Sequence, residues 1–396
     1  MKKIVCIGNS PAVVGIIDSL RSSQEPWEIT WVGLEDTLPY QQSLFVDFLA
    51  GKKNAAQLLC RPESYYRDTQ VNLHLEKKIT RINLTRQKIH FEEKQQLDYN
   101  FLVLADAPGV VWPDIKGTNK TGVYALHWLS DVKGILKSAP FGEGVFIQSD
   151  TLRGLQIAHA LAQHGKEIGL VTSAQGFFAS LSLECRQWLI PQLEKAGVRI
   201  IENTTIAEIL GEGEAVAVRL QSGKIYAAQT IIFPEAPIDL RLLKETPLQV
   251  TERISVNSCF QTNVENVFAI DQLCSNNGYT LTEDLIEQGK MVAAKILGQE
   301  IPNVLRIDES AFNTDNWQIT VLGKPTAKAD LSSWEQFDPA LGKYGKLFIV
   351  DQRPVGAVLI NAPDQKDQYL SWLEGKTPLP VTPDLATEGL QQGLPS

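Results

Sequence analysis

No stretch constrains this chain more than its first thirty-six residues. Lys3-Ile4-Val5-Cys6-Ile7 is a short apolar run that stops at Gly8-Asn9-Ser10-Pro11. Ala12 to Leu20 has the spacing of a helix laid on a sheet, and Glu28 to Val32 reads as a second strand. Strand, tight turn, helix and strand make a βαβ unit. At its turn the helix N-terminus presents backbone N–H groups that suit a diphosphate. The geometry asks for three small residues: one for the turn, one for phosphate approach, one for helix–strand packing. Those places hold Gly8, Ser10 and Val13. Gly8 meets the first need, Ser10 is tolerable at the second, and Val13 is large for the third.

A length of 396 residues suits two or three domains, and 43% hydrophobic residues supply a core for each. A net charge of −9 and a pI near 5.2 argue against nucleic acid or an anionic membrane as partner. The five cysteines (Cys6, Cys60, Cys185, Cys259, Cys274) never form a C-x-x-C pair, which argues for a reducing compartment and against that redox dithiol. Lys2 and Lys3 are not followed by a signal-peptide pattern, and no apolar run reaches membrane-spanning length. The expected location is cytoplasmic.

Further along, Leu38-Pro39-Tyr40 marks a turn and Leu44 to Ala50 a short helix ended by Gly51. Strands follow at Val71–Leu75, Lys78–Asn83 and Lys88–Phe91. Phe101 to Ala105 is apolar throughout, as a strand covered on both faces must be. A second βαβ unit begins at Gly144–Ile147, turns through Ser149-Asp150-Thr151-Leu152-Arg153-Gly154, and continues as a helix over Leu155–Gln163 and a strand over Glu167–Val171. Leu183–Lys195 is helical, Ala215–Tyr226 contains a hairpin, and Thr230–Phe233 and Val267–Ile270 are buried strands before a helix at about Thr282–Leu297. After Asn303 the strands Trp317–Val321, Lys346–Val350 and Val355–Ile360 and the helix Asp364–Glu374 form a small α+β module. Thr377–Ser396, rich in Pro, Gly and Gln, reads as a loose tail.

This layout resembles the FAD-dependent pyridine nucleotide reductases of the NADH:rubredoxin reductase and nitrite reductase type. The most specific piece runs from Leu38-Pro39-Tyr40 to Phe48-Leu49-Ala50-Gly51, which follows that family's L-P-Y-x-R-P-x-L-S-K-x-L-x-G pattern. The resemblance implies two Rossmann-like lobes of the glutathione-reductase layout: an FAD-type lobe from 1–108 with 230–302, and an NAD(P)-type lobe at 109–229. A C-terminal α+β domain at 303–376 and the tail at 377–396 complete it. It also implies hydride transfer from NAD(P)H to flavin and electron transfer to a small redox protein, though fold alone does not grant an activity.

At the family's functional positions the chemistry has changed. Its Arg falls on Gln42 and its flavin-side Lys on Asp47. The A-T-G reads Ala105-Asp106-Ala107, and the A-G-D reads Ile270-Asp271-Gln272. The second-lobe glycines read Ser149, Thr151 and Gly154, and Thr172-Ser173 replaces the ribose-binding acid. Asp106, Asp150 and Asp271 place acids beside expected phosphate contacts, each costing on the order of 1 kcal/mol or more in a partly dry cleft. NAD(P) is therefore not expected. FAD has candidate contacts in Gly8, Asn9, Ser10, Glu35 and Gln272. Ser149, Asp150 and Thr151 are good N-cap residues, able to satisfy the second helix from within.

No other constellation competes. His159 and His164 do not share a helix face, and His74, His90 and His127 lack ligands at zinc spacing. Ser10 and Ser149 lack a G-x-S-x-G setting, and no catalytic residue is assigned. Cys259 and Cys274 read as thiols, with a disulfide as the lesser alternative, and Trp317, Trp334 and Trp372 read as core. The residues favour a retired reductase: a scaffold or regulatory subunit acting with a redox protein. The alternative is a working FAD-dependent oxidoreductase fed by NAD(P)H or another donor.

Overall fold

The computed structural model describes residues 1–106, 109–138, 144–274, 282–300, 307–314, 316–325 and 332–379. It divides into two compact units, Met1–Ala174 with Gln192–Val304, and the described parts of Gln175–Pro191 with Leu305–Ser396.

The larger unit begins with β1 (Lys2–Ile7), α1 (Ala12–Ser22), β2 (Trp27–Val32), α2 (Phe45–Leu49), α3 (Glu63–Asp68) and β3 (Val71–His74). An antiparallel ribbon of β4 (Ile79–Asn83), β5 (Lys88–Phe91) and β6 (Gln96–Asp98) precedes β7 (Phe101–Leu104). The chain then forms β8 (Val123–Tyr124), α4 (Leu129–Ser138), β9 (Val145–Gln148), α5 (Leu152–Ala162), β10 (Ile168–Val171), α6 (Leu183–Lys195) and β11 (Val198–Ile201). A second ribbon, β12 (Ile206–Leu210), β13 (Ala217–Leu220) and β14 (Ile225–Ala227), leads to β15 (Thr230–Ile232). The short α7 (Arg241–Lys244), β16 (Val267–Ala269) and α8 (Thr282–Ile296) follow.

Two parallel sheets result, in the orders β16-β7-β1-β2-β3 and β11-β10-β9-β15-β8. Both carry helices, so their strands are apolar along their length: Ile4 to Ile7, Leu102 to Leu104 and Ile168 to Val171 are all buried. The α/β class and the two Rossmann-like lobes expected from the sequence are present. The sequence places the return to the first lobe at residue 230, but Thr230–Ile232 pairs with β9 and β8 in the second sheet. The first sheet regains the chain at β16. Helix α5 starts three residues before the expected Leu155 because the Thr151 hydroxyl accepts the Arg153 N–H at 3.2 Å and caps the helix there.

Val13, large for the glycine place it occupies, is fully buried in α1. The closest approach lies instead between α1 and α8. A Cβ on Gly289 would stand 1.7 Å from the Ala12 carbonyl oxygen, and one on Gly15 2.0 Å from that of Ile286. The smaller unit is an antiparallel sheet in the order β17 (Glu309–Asn313), β18 (Gln318–Gly323), β21 (Arg353–Ile360), β20 (Lys343–Val350), β19 (Ser332–Asp338). Helix α9 (Lys366–Leu373) buries Tyr369 and Trp372 against it, giving the expected α+β module. Part of residues 175–191 joins this unit: the Trp188 ring lies 6.5 Å from that of Phe337, and the Ser182 N–H reaches the Tyr344 hydroxyl at 3.3 Å. The expected loose tail lies, beyond residue 379, outside the described residues.

Substituting Gly289→Ala sets helix propensity against packing. Alanine favours the helix by about 1 kcal/mol, but its methyl meets backbone oxygen, and such overpacking costs about 1–3 kcal/mol. The clash should win, with net destabilisation in urea unfolding.

Candidate functional site

The site is built where β1 ends. Gly8 has φ +101°, and a Cβ there would lie 2.4 Å from the Asp106 backbone nitrogen. Only glycine meets both demands. The Gly8 carbonyl accepts the Trp31 indole N–H at 2.7 Å, fixing the turn on β2. Asn9 then clamps the next segment: its amide donates to the Tyr40 carbonyl at 2.9 Å and accepts the Tyr40 N–H at 2.8 Å. This pins the L-P-Y turn beside the βαβ turn.

Ser10 is fully buried at the start of α1, where its hydroxyl oxygen accepts the Ala12 N–H at 3.3 Å. The nearby Ser10 hydroxyl favours the charged form of the Asp271 carboxylate. Asp271 holds φ +55°, a left-handed conformation, and its N–H donates to the buried Gln288 side chain at 2.8 Å. Loss of solvent pushes its carboxyl up to about 7; the Ser10 hydroxyl opposes the rise, Asp106 adds to it, and the Gln272 N–H and Arg253 oppose it further.

A polar relay runs on from there. The Gln272 amide donates to the Gln42 side-chain oxygen at 3.0 Å, while the Gln272 carbonyl accepts from Arg253. Gln42 donates to the Asp106 carboxylate at 3.2 Å and to the His127 carbonyl at 3.1 Å. Asp106 and the His127 ring face each other at 3.6 Å, both buried. Glu35 is committed elsewhere. It accepts the Tyr40 hydroxyl, the Leu129 N–H at 3.4 Å, and the Ser130 N–H and hydroxyl at 3.3 and 3.1 Å, so it caps α4.

The five residues expected to touch FAD fall into separate hydrogen-bonded groups: Gly8 with Trp31, Asn9 and Glu35 joined through Tyr40, Ser10 with Ala12, and Gln272 with Gln42 and Arg253. The glycine turn at Gly8 before α1 fits a dinucleotide, while the Asn9, Glu35 and Gln272 side chains are bonded within the protein. Ala107 lies outside the described residues. Asp47, at the family's Lys position, sits in the first turn of α2. Sequence reasoning missed His127, Arg253 and the Gln42–Gln272 bond.

The second lobe repeats the pattern. Glu235 accepts the Ser149 hydroxyl at 2.9 Å and the Thr151 hydroxyl at 2.6 Å, beside the cap of α5. Asp150 turns back to accept Thr172 and Ser173 hydroxyls at 3.1 and 2.7 Å and the Ser173 N–H at 2.7 Å. The acid of the turn is therefore bonded to the residues that replace the ribose-binding acid. Arg153 is attracted by both Glu235 and Asp271. Neither Glu235 nor Arg153 carries a signal in the local sequence. Among the described residues no His, Cys, Asp and Glu cluster could hold a metal ion, and no helix is long and apolar enough to cross a membrane.

The sequence profile described as pyridine nucleotide-disulphide oxidoreductase matches residues 2–289. The assimilatory nitrate reductase electron transfer subunit of Bacillus subtilis (strain 168) is 23% identical over 381 residues, 94% of this chain and 49% of its own length. The chain therefore spans about half of that relative. Rubredoxin-NAD(+) reductase of Pseudomonas putida is 24% identical over 311 residues, 76% of this chain and 81% of that protein. The covalent putidaredoxin reductase–putidaredoxin complex has a chain of the same fold, with TM-score 0.81 and 18% identity over 94% of this chain and 93% of that one.

Replacing Glu35→Ala removes the cap of α4 and the partner of the buried Tyr40 hydroxyl. Nucleotide-free protein should lose about 1–3 kcal/mol in urea unfolding. A change within about 0.5 kcal/mol, ordinary for a surface site, would mean that Glu35 has no structural task.

Proposed function

Because the chain belongs to the pyridine nucleotide-disulphide oxidoreductase family, we propose that it is an FAD-dependent electron-transfer protein serving a small redox protein, its electrons coming from a donor other than NAD(P)H. The observation that carries this reading is that the family match runs through both parallel-sheet lobes, residues 2–289. The relatives named above for electron transfer and for rubredoxin support it better than they support a retired enzyme. The donor is argued from the second lobe. There the Ser149 and Thr151 hydroxyls are spent on Glu235, and Asp150 on Thr172 and Ser173, which leaves the turn at α5 poorly suited to a second dinucleotide.

A second reading, a nucleotide-free scaffold or regulatory subunit, is favoured by one residue, the acid Asp271, which stands at the family's glycine position with φ +55°. Both readings share a redox protein as partner. The net charge of −9 gives no support for nucleic acid as a further one.

Incubating the purified full chain with FAD and removing the excess separates the two. The proposal expects a retained flavin spectrum that dithionite or a reduced rubredoxin bleaches and NADH does not. A preparation that stays colourless favours the scaffold, and bleaching by NADH removes the claim about the donor.

A further inference from the structure

We propose that Glu235 is the residue that closes the second lobe to a nicotinamide dinucleotide, its carboxylate holding the hydroxyls at the start of α5 where a diphosphate would have to bind. The inference rests on the reading that the electron donor is not NAD(P)H, and assigns that exclusion to one side chain.

Three observations carry it. The first is contact. The Ser149 and Thr151 hydroxyls both donate to Glu235, at 2.9 and 2.6 Å. The same two oxygens take the N–H groups that open the helix: Ser149 accepts from Thr151 at 3.2 Å, and Thr151 accepts from Arg153 at 3.2 Å. A diphosphate at this turn needs those N–H groups. The Ser149 Oγ lies so close to the first turn of α5 that a Cβ on Gly154 would stand 2.1 Å from it. Ser149 is buried and Glu235 is exposed, so the carboxylate stands on the open side of the turn. An anion coming from solvent meets that charge before it reaches the helix end.

The second is placement. Strand β15 runs parallel to β9 with Ile232 opposite Ile147, so the segments leaving the two strands emerge side by side. Ser149 lies just past β9 and Glu235 just past β15. Phe233-Pro234-Glu235-Ala236 is a tight turn, closed by the Ala236 N–H on the Phe233 carbonyl at 3.2 Å. Pro234 stands at its second place, where a fixed φ belongs. Beyond the turn the Pro237 carbonyl accepts the Val111 N–H at 2.6 Å. The backbone on both sides of Glu235 is therefore held by bonds that need no ligand.

The third is the contrast with Asp150. That acid belongs to the turn itself, yet it accepts the Thr172 hydroxyl and the Ser173 N–H and hydroxyl, beyond the end of β10. Its bonds run to the neighbouring strand's exit, and those of Glu235 run to the start of α5. Of these two acids, Glu235 is the one on the diphosphate's place.

The test is calorimetric titration of NAD+ into the full-length chain already incubated with FAD. NAD+ carries the diphosphate and leaves an oxidised flavin unchanged, so the readout is binding alone. Wild type, Glu235→Ala, Glu235→Gln and Asp150→Asn are compared, and thermal melts check that each is folded. Glu235→Ala should bind NAD+ at least about ten-fold more tightly than wild type. Glu235→Gln keeps an oxygen for the two hydroxyls and removes the charge, so its gain should be several-fold. Asp150→Asn should gain less than either. Both Glu235 variants no tighter than wild type, including no binding by any protein, overturns the inference and leaves the donor reading standing. Asp150→Asn matching Glu235→Ala overturns it as well. The expected gain beside a wild-type flavin that NADH bleaches upholds the inference and removes the donor reading alone.

Discussion

A helix that starts at the end of a parallel strand carries N–H groups with no partner inside the helix, and its dipole leaves them partly positive. In a lobe of this kind something negative or oxygen-bearing must meet them. Here the chain meets them itself. At α1 the Ser10 hydroxyl takes the Ala12 N–H and favours negative charge on Asp271. At α5 the Thr151 hydroxyl takes the Arg153 N–H and donates in turn to Glu235. Both lobes meet this demand with a hydroxyl on the helix, and in the second a carboxylate takes that hydroxyl in turn. The rest of the site is arranged around that solution, since Asp271 leads through Gln272 and Gln42 to Asp106 and His127.

The shell and the seats depend on different parts of the sequence. The parallel sheets rest on long apolar runs such as Ile4 to Ile7 and Leu102 to Leu104, whose burial tolerates any side chain of similar size. The seats rest on a few positions at strand ends, where one added Cβ or carboxylate changes what can approach. A chain can therefore match a family profile over residues 2–289 while its diphosphate contacts differ. This is also why likeness of fold, even at a TM-score of 0.81, says little about occupancy of those seats.

What could be read from sequence follows the range of the interactions. The strands and helices of both βαβ units were legible, because period and apolar run length are local. So was the self-capping of α5, since Ser149, Asp150 and Thr151 advertise it. Asp271 stood out by its place in the A-G-D segment, but its partner did not: the sequence suggests an acid repelling a phosphate, and the structure adds the Gln288 side chain that takes its N–H. Gln42 and Gln272 meet across 230 positions, and Glu235 reaches Ser149 across 86. No pattern within a window of sequence reports such pairs. Glu35 shows the same limit: its position suits a ribose contact, yet its partners are Tyr40 and the first turn of α4. The joining of Trp188 to Phe337 in the smaller unit was hidden for that reason too.

Left-handed backbone at a residue with a side chain costs about 1 kcal/mol, and such strain persists where its surroundings over-determine it. Around Asp271 they do: Gln288 holds its N–H and Arg253 holds the next carbonyl. Those two contacts come from α8 and from the segment before β16. The close approach of Gly15 and Gly289 to backbone oxygens keeps α1 and α8 together, and with them Ser10 and Gln288. The backbone state of Asp271 is thus tied, through Gln288, to how two helices pack.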